Sequence, residues 1–215
     1  MSVPPDTPPG LGLAGGAGVA SAPVGSDAAL LEALRQGDTR AKGLLFDRYA
    51  GHVERVLRRV LGLDPDLADV LQDVFVEALT SIQDVRDPNA LRSWLSSIAV
   101  FTARRKIRSR VRRRWLMFLA PDAVPEPPSE PPRREDTEAL RRTYAVLDRM
   151  PTDERIAFAL RYVDGMELTE VARACDVSLA TIKRRLVKAE QRFVAMARRD
   201  PVLEDWVKEG RRWAT

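Results

Sequence analysis

Three groups of residues in this chain have the types and spacing to do chemistry. The densest is basic: Arg104, Arg105, Lys106, Arg108, Arg110, Arg112, Arg113 and Arg114 put eight positive charges into eleven residues. The whole chain carries 35 Lys and Arg against 31 Asp and Glu, a net charge of +4, so everything outside that run sums to −4. Like charges this close repel one another along a helix, and something anionic must offset them: nucleic acid, an acidic protein or, less aptly, an anionic membrane surface. Trp115, beside the arginines, suits stacking on single-stranded bases. The second group is acidic. Asp69, Asp73 and Glu77 fall at i, i+4 and i+8 and make one stripe, which on its own reads as a solvated face or as a carboxylate set for a metal.

The third group is the stretch LTEVARACDVSLATIKRRL, residues 168–186. A helix-turn-helix needs a small residue where its helices touch, a turn residue that tolerates positive φ, and apolar residues that bury the second helix. Ala172, Asp176 and the set Val171, Val177, Ile182 and Leu186 supply these. Ser178 caps the second helix. On a helical wheel Ile182, Leu186, Ala189 and Phe193 share one side, Thr181, Arg184 and Lys188 point the other way, and Lys183 and Arg185 lie on the flanks. A basic face opposite a core face is what insertion into a major groove requires.

The chain is as informative in what it lacks. Cys175 is the single cysteine and His52 the single histidine, which excludes an intrachain disulfide, a Cys/His zinc site and most histidine-based catalysis. The simplest places for them are a small buried core position for Cys175 and the surface for His52. No cofactor is called for, and the residues point to binding rather than to an enzyme.

The elements that must position these groups are helical. Leu67, Val70, Leu71, Val74, Phe75, Ala78 and Leu79 form one apolar stripe, with Asp64 and Pro65 expected as N-cap and first-turn proline. Asp87 and Pro88 open a further helix with Leu91, Trp94, Leu95, Ile98 and Ala99 on one face. Two earlier helices are expected near 28–36 and 39–61, the second stopped at Gly62, and two later ones near 137–149 and 153–163, ending at Gly165. No period-two alternation is sustained anywhere, so the fold class is all-α.

Composition divides the chain. Residues 1–26 hold five prolines and six of the twelve glycines and read as a disordered leader, with no Lys or Arg before residue 28 to make a secretory signal. Pro121, Pro125, Pro127, Pro128, Pro131 and Pro132 mark 119–135 as a Pro-rich flexible linker. Two small helical domains are expected, 27–118 and 136–200, without a packed interface between them and with a tail at 201–215. No apolar run reaches the ~18 residues of a membrane span. A soluble, cytoplasmic protein follows.

With these residues on the page, the chain resembles the sigma-70-type initiation factors of bacterial RNA polymerase, in their extracytoplasmic-function (ECF) group. The matching segments are DVLQDVFVEAL (69–79), LRSWLSSIA (91–99) with the basic run after it, and LRYVDGMELTEVARACDVSLATIKRRLVKAEQRF (160–193). The resemblance covers about residues 28–195. It implies that 27–118 is a region 2-like domain that binds core polymerase and melts and recognises the minus 10 element, and that 136–200 is a region 4-like domain that reads the minus 35 element. It assigns Asp69, Gln72 and Asp73 to the clamp helices of the large polymerase subunit. It places Trp94, Arg104, Arg105, Lys106, Arg108, Arg110, Arg112, Arg113 and Trp115 at the minus 10 DNA. Ser178, Thr181, Lys183, Arg184, Arg185 and Lys188 fall to the minus 35 DNA. Core polymerase, through its clamp and flap, and promoter DNA are the implied partners, with room for an anti-sigma factor. Phe101 and Arg105 stand where the family usually has Asn and Asp, and Asp176 replaces its turn glycine. The rival reading is a conventional helix-turn-helix regulator whose first domain dimerises or senses a ligand.

Overall fold

The computed structural model describes residues 26–119 and 135–208, and among them all regular structure is helical. The leader, most of the linker and the end of the tail lie outside the described residues. In the first block, α1 (Asp27–Arg35) is capped by Ser26, whose hydroxyl accepts from the Ala29 N–H at 3.2 Å, and α2 (Thr39–Leu61) begins at Asp38. The helix α3 (Leu67–Thr80) starts two residues later than the Asp64-Pro65 pair suggests. Asp64 is not its N-cap. Its carboxylate accepts from the Asp66 N–H at 2.9 Å and is buried against Arg110, which meets it at 2.5 Å. Asp87 does cap a short 3-10 turn, Pro88–Ala90, accepting from the Asn89 N–H at 2.9 Å. That turn leads into α4 (Leu91–Leu119), whose 29 residues carry the whole basic run on one continuous helix.

The core of this block is the set the apolar stripes supply. Leu45, Val53, Leu57, Val74, Leu91 and Leu95 are fully buried, each worth roughly 1.5–3 kcal/mol of transfer free energy. Trp94 is half-buried and packs on that core. His52 is not a surface residue: it is half-buried, and its Nε2 lies 2.8 Å from the Ser96 hydroxyl. Burial, with the nearby Arg92 and Arg55 guanidiniums, holds its imidazole below the usual histidine range.

The second block holds α5 (Glu135–Leu147), α6 (Thr152–Phe158), α7 (Leu168–Ala174), α8 (Leu179–Ala197) and α9 (Pro201–Lys208). The helix expected at 153–163 changes character halfway. Residues 159–163 form a wide π turn before Gly165 ends it at φ +82°. Phe158 and Phe193 stack with ring centroids 4.6 Å apart, and with Leu147, Ala197 and Leu203 they make a small core between α5, α6, α8 and α9.

The two blocks are packed together, contrary to the expectation of a bare spacer between them. One continuous cluster of buried apolar side chains runs from Leu30 through Ile107 into Ile156, Leu160, Val171, Cys175, Ile182 and Leu186. The reason lies at the end of α2. A helix leaves its last carbonyls without helical partners; the Gly62 N–H meets that of Arg58 at 2.9 Å, and the carbonyls of residues 58–61 are also met from the other block. The Tyr144 hydroxyl lies 3.2 Å from the Arg58 oxygen and 2.8 Å from that of Arg59. Arg155, only 5% exposed, donates Nε to Val60 at 3.1 Å and Nη2 to Leu61 at 3.3 Å. Gly62 (φ +77°) completes the fit, because a Cβ there would stand 2.7 Å from the Tyr144 ring.

Candidate nucleic-acid interface

The helix-turn-helix forms as its residues require. Asp176 takes φ +53°, the one positive φ outside glycine among the described residues. Its short side chain makes that conformation affordable where most residues would strain. Ser178 caps α8, its hydroxyl accepting from the Thr181 N–H at 3.2 Å. Glu170 steadies the start of α7 by accepting from the Glu167 N–H at 3.0 Å. Ile182, Leu186, Ala189 and Phe193 are buried. Lys183, Arg184 and Lys188 are exposed and Thr181 is half-buried, and none of the three cations makes an ion pair among the described residues. Arg185, on the flank, is instead turned toward Asp153, 3.5 Å away. The polar side of α8 thus presents a short row of cations without ion-pair partners, beside a Thr181 hydroxyl that lies 2.9 Å from that of Ser178 and 3.5 Å from Arg184 Nη2.

The basic run of α4 divides in two. Four members are engaged within the chain. Lys106 reaches Asp66 at 2.8 Å, and Arg110 lies between the buried Asp64 and Asp66, the latter 3.2 Å away. The Lys106 ammonium hydrogen-bonded to Asp66 holds that carboxyl below its usual range. Arg104 meets Asp153 at 3.0 Å and Arg108 meets it at 3.6 Å. Three others, Arg105, Arg112 and Arg113, are exposed without an ion-pair partner among the described residues, and Trp115 is 69% exposed.

Between α3 and α4 lies a groove of about 510 Å³, lined by Phe101, Arg105, Lys106, Arg108 and Arg112 on one side and by Val70 and Asp73 on the other. Phe101 is 54% exposed. It was singled out in the sequence only as a departure from a pattern. The signal available was its spacing: Phe101, Arg105, Arg108 and Arg112 stand at i, i+4, i+7 and i+11, an aromatic and three cations on one helix face. Asp153 had no such signal, since its partners Arg104, Arg108 and Arg185 lie more than 30 positions away in sequence.

On α3, Asp69, Gln72, Asp73 and Glu77 are all exposed, with Val76, itself 63% exposed, among them. None of the three carboxylates makes an ion pair in the described residues. The stripe, with an exposed apolar residue in its middle, therefore contributes no ion pair to the fold.

Comparison with known proteins agrees with this geometry at both ends of the chain. Residues 45–113 match the family model for sigma-70 region 2, and residues 140–193 match that for sigma-70 region 4. The chain is 31% identical over 175 residues to the ECF RNA polymerase sigma-E factor of Haemophilus influenzae, a span of 77% of this chain and 92% of that protein. With the Escherichia coli protein of the same description the identity is 29% over 176 residues, 77% and 91% of the two chains. Among solved structures, CnrH in complex with the cytosolic domain of CnrY aligns at TM-score 0.55 and 24% identity, covering 81% of this chain and 98% of that one. The sigma factor RpoE, solved with the anti-sigma factor NepR from Bartonella quintana, aligns at TM-score 0.53 and 19% identity over 72% and 95%. Two family models in the right order, on an all-helical fold shared with sigma factors, leave one conclusion: the chain belongs to the sigma-70 family of RNA polymerase sigma factors, in its ECF group.

Proposed function

We propose that this sigma factor divides initiation between its two blocks. Residues 27–118 engage core RNA polymerase and the minus 10 element, and residues 136–200 read the minus 35 element. The observation that carries the reading is the basic polar side of α8 opposite its buried side: Thr181, Arg184 and Lys188 reach base edges in the major groove, while Lys183 and Arg185, with the capped N-terminus at Ser178, meet phosphates. On α4, Arg105, Arg112, Arg113 and Trp115 line the path of the melted minus 10 strand, and the groove beside Phe101 offers a stacking surface for a displaced base. Arg104, Lys106 and Arg108 join them once their internal partners let go, whereas Arg110 serves chiefly to hold Asp64. Trp94 supports this face from the core side. On α3, Asp69, Gln72 and Asp73 take the basic clamp helices of the polymerase.

The work lies in initiation rather than catalysis, and its place is the cytoplasm, with the transcription machinery. No helix among the described residues is long and apolar enough to cross a membrane. An anti-sigma factor is a further partner class, as for the Bartonella quintana neighbour captured with NepR. Run-off transcription with core polymerase on a library of minus 35 variants tests the reading. Arg184→Ala should lose preference at one or two positions, about 1–3 kcal/mol of discrimination for a bidentate arginine-guanine pair. Lys183→Ala should weaken all promoters alike and lower the salt slope by roughly one unit. A uniform loss in Arg184→Ala would make that residue a phosphate contact and move the reading face elsewhere.

A further inference from the structure

A cleft of about 500 Å³ lies where α2 and the start of α4 face α7, and no residue assigned above to DNA or polymerase lines it. Three cations do: Arg55 of α2, Arg92 of α4 and Arg173 of α7. All three are exposed, and none makes an ion pair or a side-chain hydrogen bond among the described residues. The two carboxylates of the cleft are otherwise engaged. Asp164 stands 3.6 Å from Arg59, and Glu170 accepts from the Glu167 N–H at 3.0 Å. Three guanidiniums against the one carboxylate not met by a cation, Glu170, leave an excess of two positive charges. The convergence of Arg55 and Arg92 shows in His52, on the wall of the same cleft: after burial, these two guanidiniums do most to hold its imidazole below the usual range. Val56, Met166 and Ala174 add apolar wall, and Asn89 and Ser93 add neutral hydrogen-bonding groups.

We propose that this cleft binds a phosphate monoester of nucleotide size, its phosphate shared by Arg55, Arg92 and Arg173 and its apolar face laid on Val56, Met166 and Ala174. The charge fits, since a phosphate monoester carries about −1.5 to −2 at neutral pH. Guanidiniums suit phosphate by their planar fork of donors, and the volume falls within the roughly 300–1,000 Å³ of small-molecule sites. The inference stands apart from the promoter reading, because it uses none of the residues given to DNA. With α2 and α4 in the first block and α7 in the second, the ligand touches both, so it binds the packed chain and stabilises it by mass action.

The test titrates the full chain at low salt with AMP, inorganic phosphate and adenosine, followed by calorimetry and by proton NMR of His52. AMP should bind at one site, phosphate more weakly at the same site, and adenosine not measurably. Arg55→Gln, Arg92→Gln and Arg173→Gln should each weaken AMP by about tenfold, the loss of one hydrogen-bonded charge, while helical circular dichroism stays that of the parent. Arg198→Gln, an exposed cation outside the cleft, should keep the parent affinity. His52 is the sole histidine, so its ring C2 proton is a single resonance that reports on the cleft without a label. It should move with AMP at the calorimetric affinity and stay in place with adenosine. Absence of heat and shift with AMP overturns the proposal, as does equal AMP binding by the parent and the three cleft variants. Displacement of AMP by a short oligothymidylate would make the cleft part of a nucleic-acid path and overturn it as well.

Discussion

At the scale of single residues, Arg110 shows how a charge run can mislead. By sequence it is one of eight equivalent cations; in the fold it is the partner of a carboxylate whose side chain is completely buried, Asp64. Removing Arg110 leaves that buried carboxylate uncompensated in charge, with only the Asp66 N–H donating to it, at a cost of roughly 3–5 kcal/mol. Arg110→Gln should therefore lower the stability of the first block by about 3 kcal/mol in urea unfolding. Arg112→Gln, exposed and unpaired, should change it by no more than about 0.5 kcal/mol. Equal effects from the two would mean that Asp64 finds its partner elsewhere. Residue chemistry was legible in advance where it depended on local backbone, as with Asp176 at positive φ and Ser178 as a cap. It was not legible for Asp64 or His52, whose roles come from Arg110 and Ser96, more than 40 positions away.

At the scale of elements, the apolar stripes did most of the work. The periodicities on α3, α4 and α8 predict their buried faces, and the polar faces follow by default. The α3 stripe gives the cleanest consequence, because Asp69 and Asp73 share an exposed face and belong to no internal pair. Reversing both to Lys should leave helical circular dichroism unchanged and reduce binding to core polymerase by at least tenfold in a competition assay; undiminished competition would remove α3 from the polymerase interface. What periodicity could not show was the change from α-helix to a π turn at 159–163. That widening fits Leu160 into the joint core and places Asp164 3.6 Å from Arg59 of α2, a demand set by the neighbouring block.

At the scale of the whole molecule, the proline-rich composition of 119–135 identified a boundary but concealed an interface. Composition reports on the connection, whereas the seam is made by Tyr144 and Arg155 capping a helix that ended some 85 residues earlier. Pairings at that separation leave no periodic trace. A chain cut at a protease site engineered between residues 121 and 134 should accordingly remain a single species. Its two fragments should co-elute on gel filtration at micromolar concentration and separate when Tyr144→Phe is combined with Arg155→Gln. Immediate separation of the parent fragments would mean that the seam is too weak to matter in solution.

Cys175 turns that seam into something that can be timed. It is the sole thiol, 2% exposed, and its neighbours are Arg104, Arg185 and Asp153; burial pushes it up to about 11, so it is doubly protected, by occlusion and by lack of thiolate. A disulfide reagent added to the unlabelled wild-type chain should react only as fast as the blocks part. The molecule carries its own stopwatch for opening, readable without a dye, a tag or a substitution.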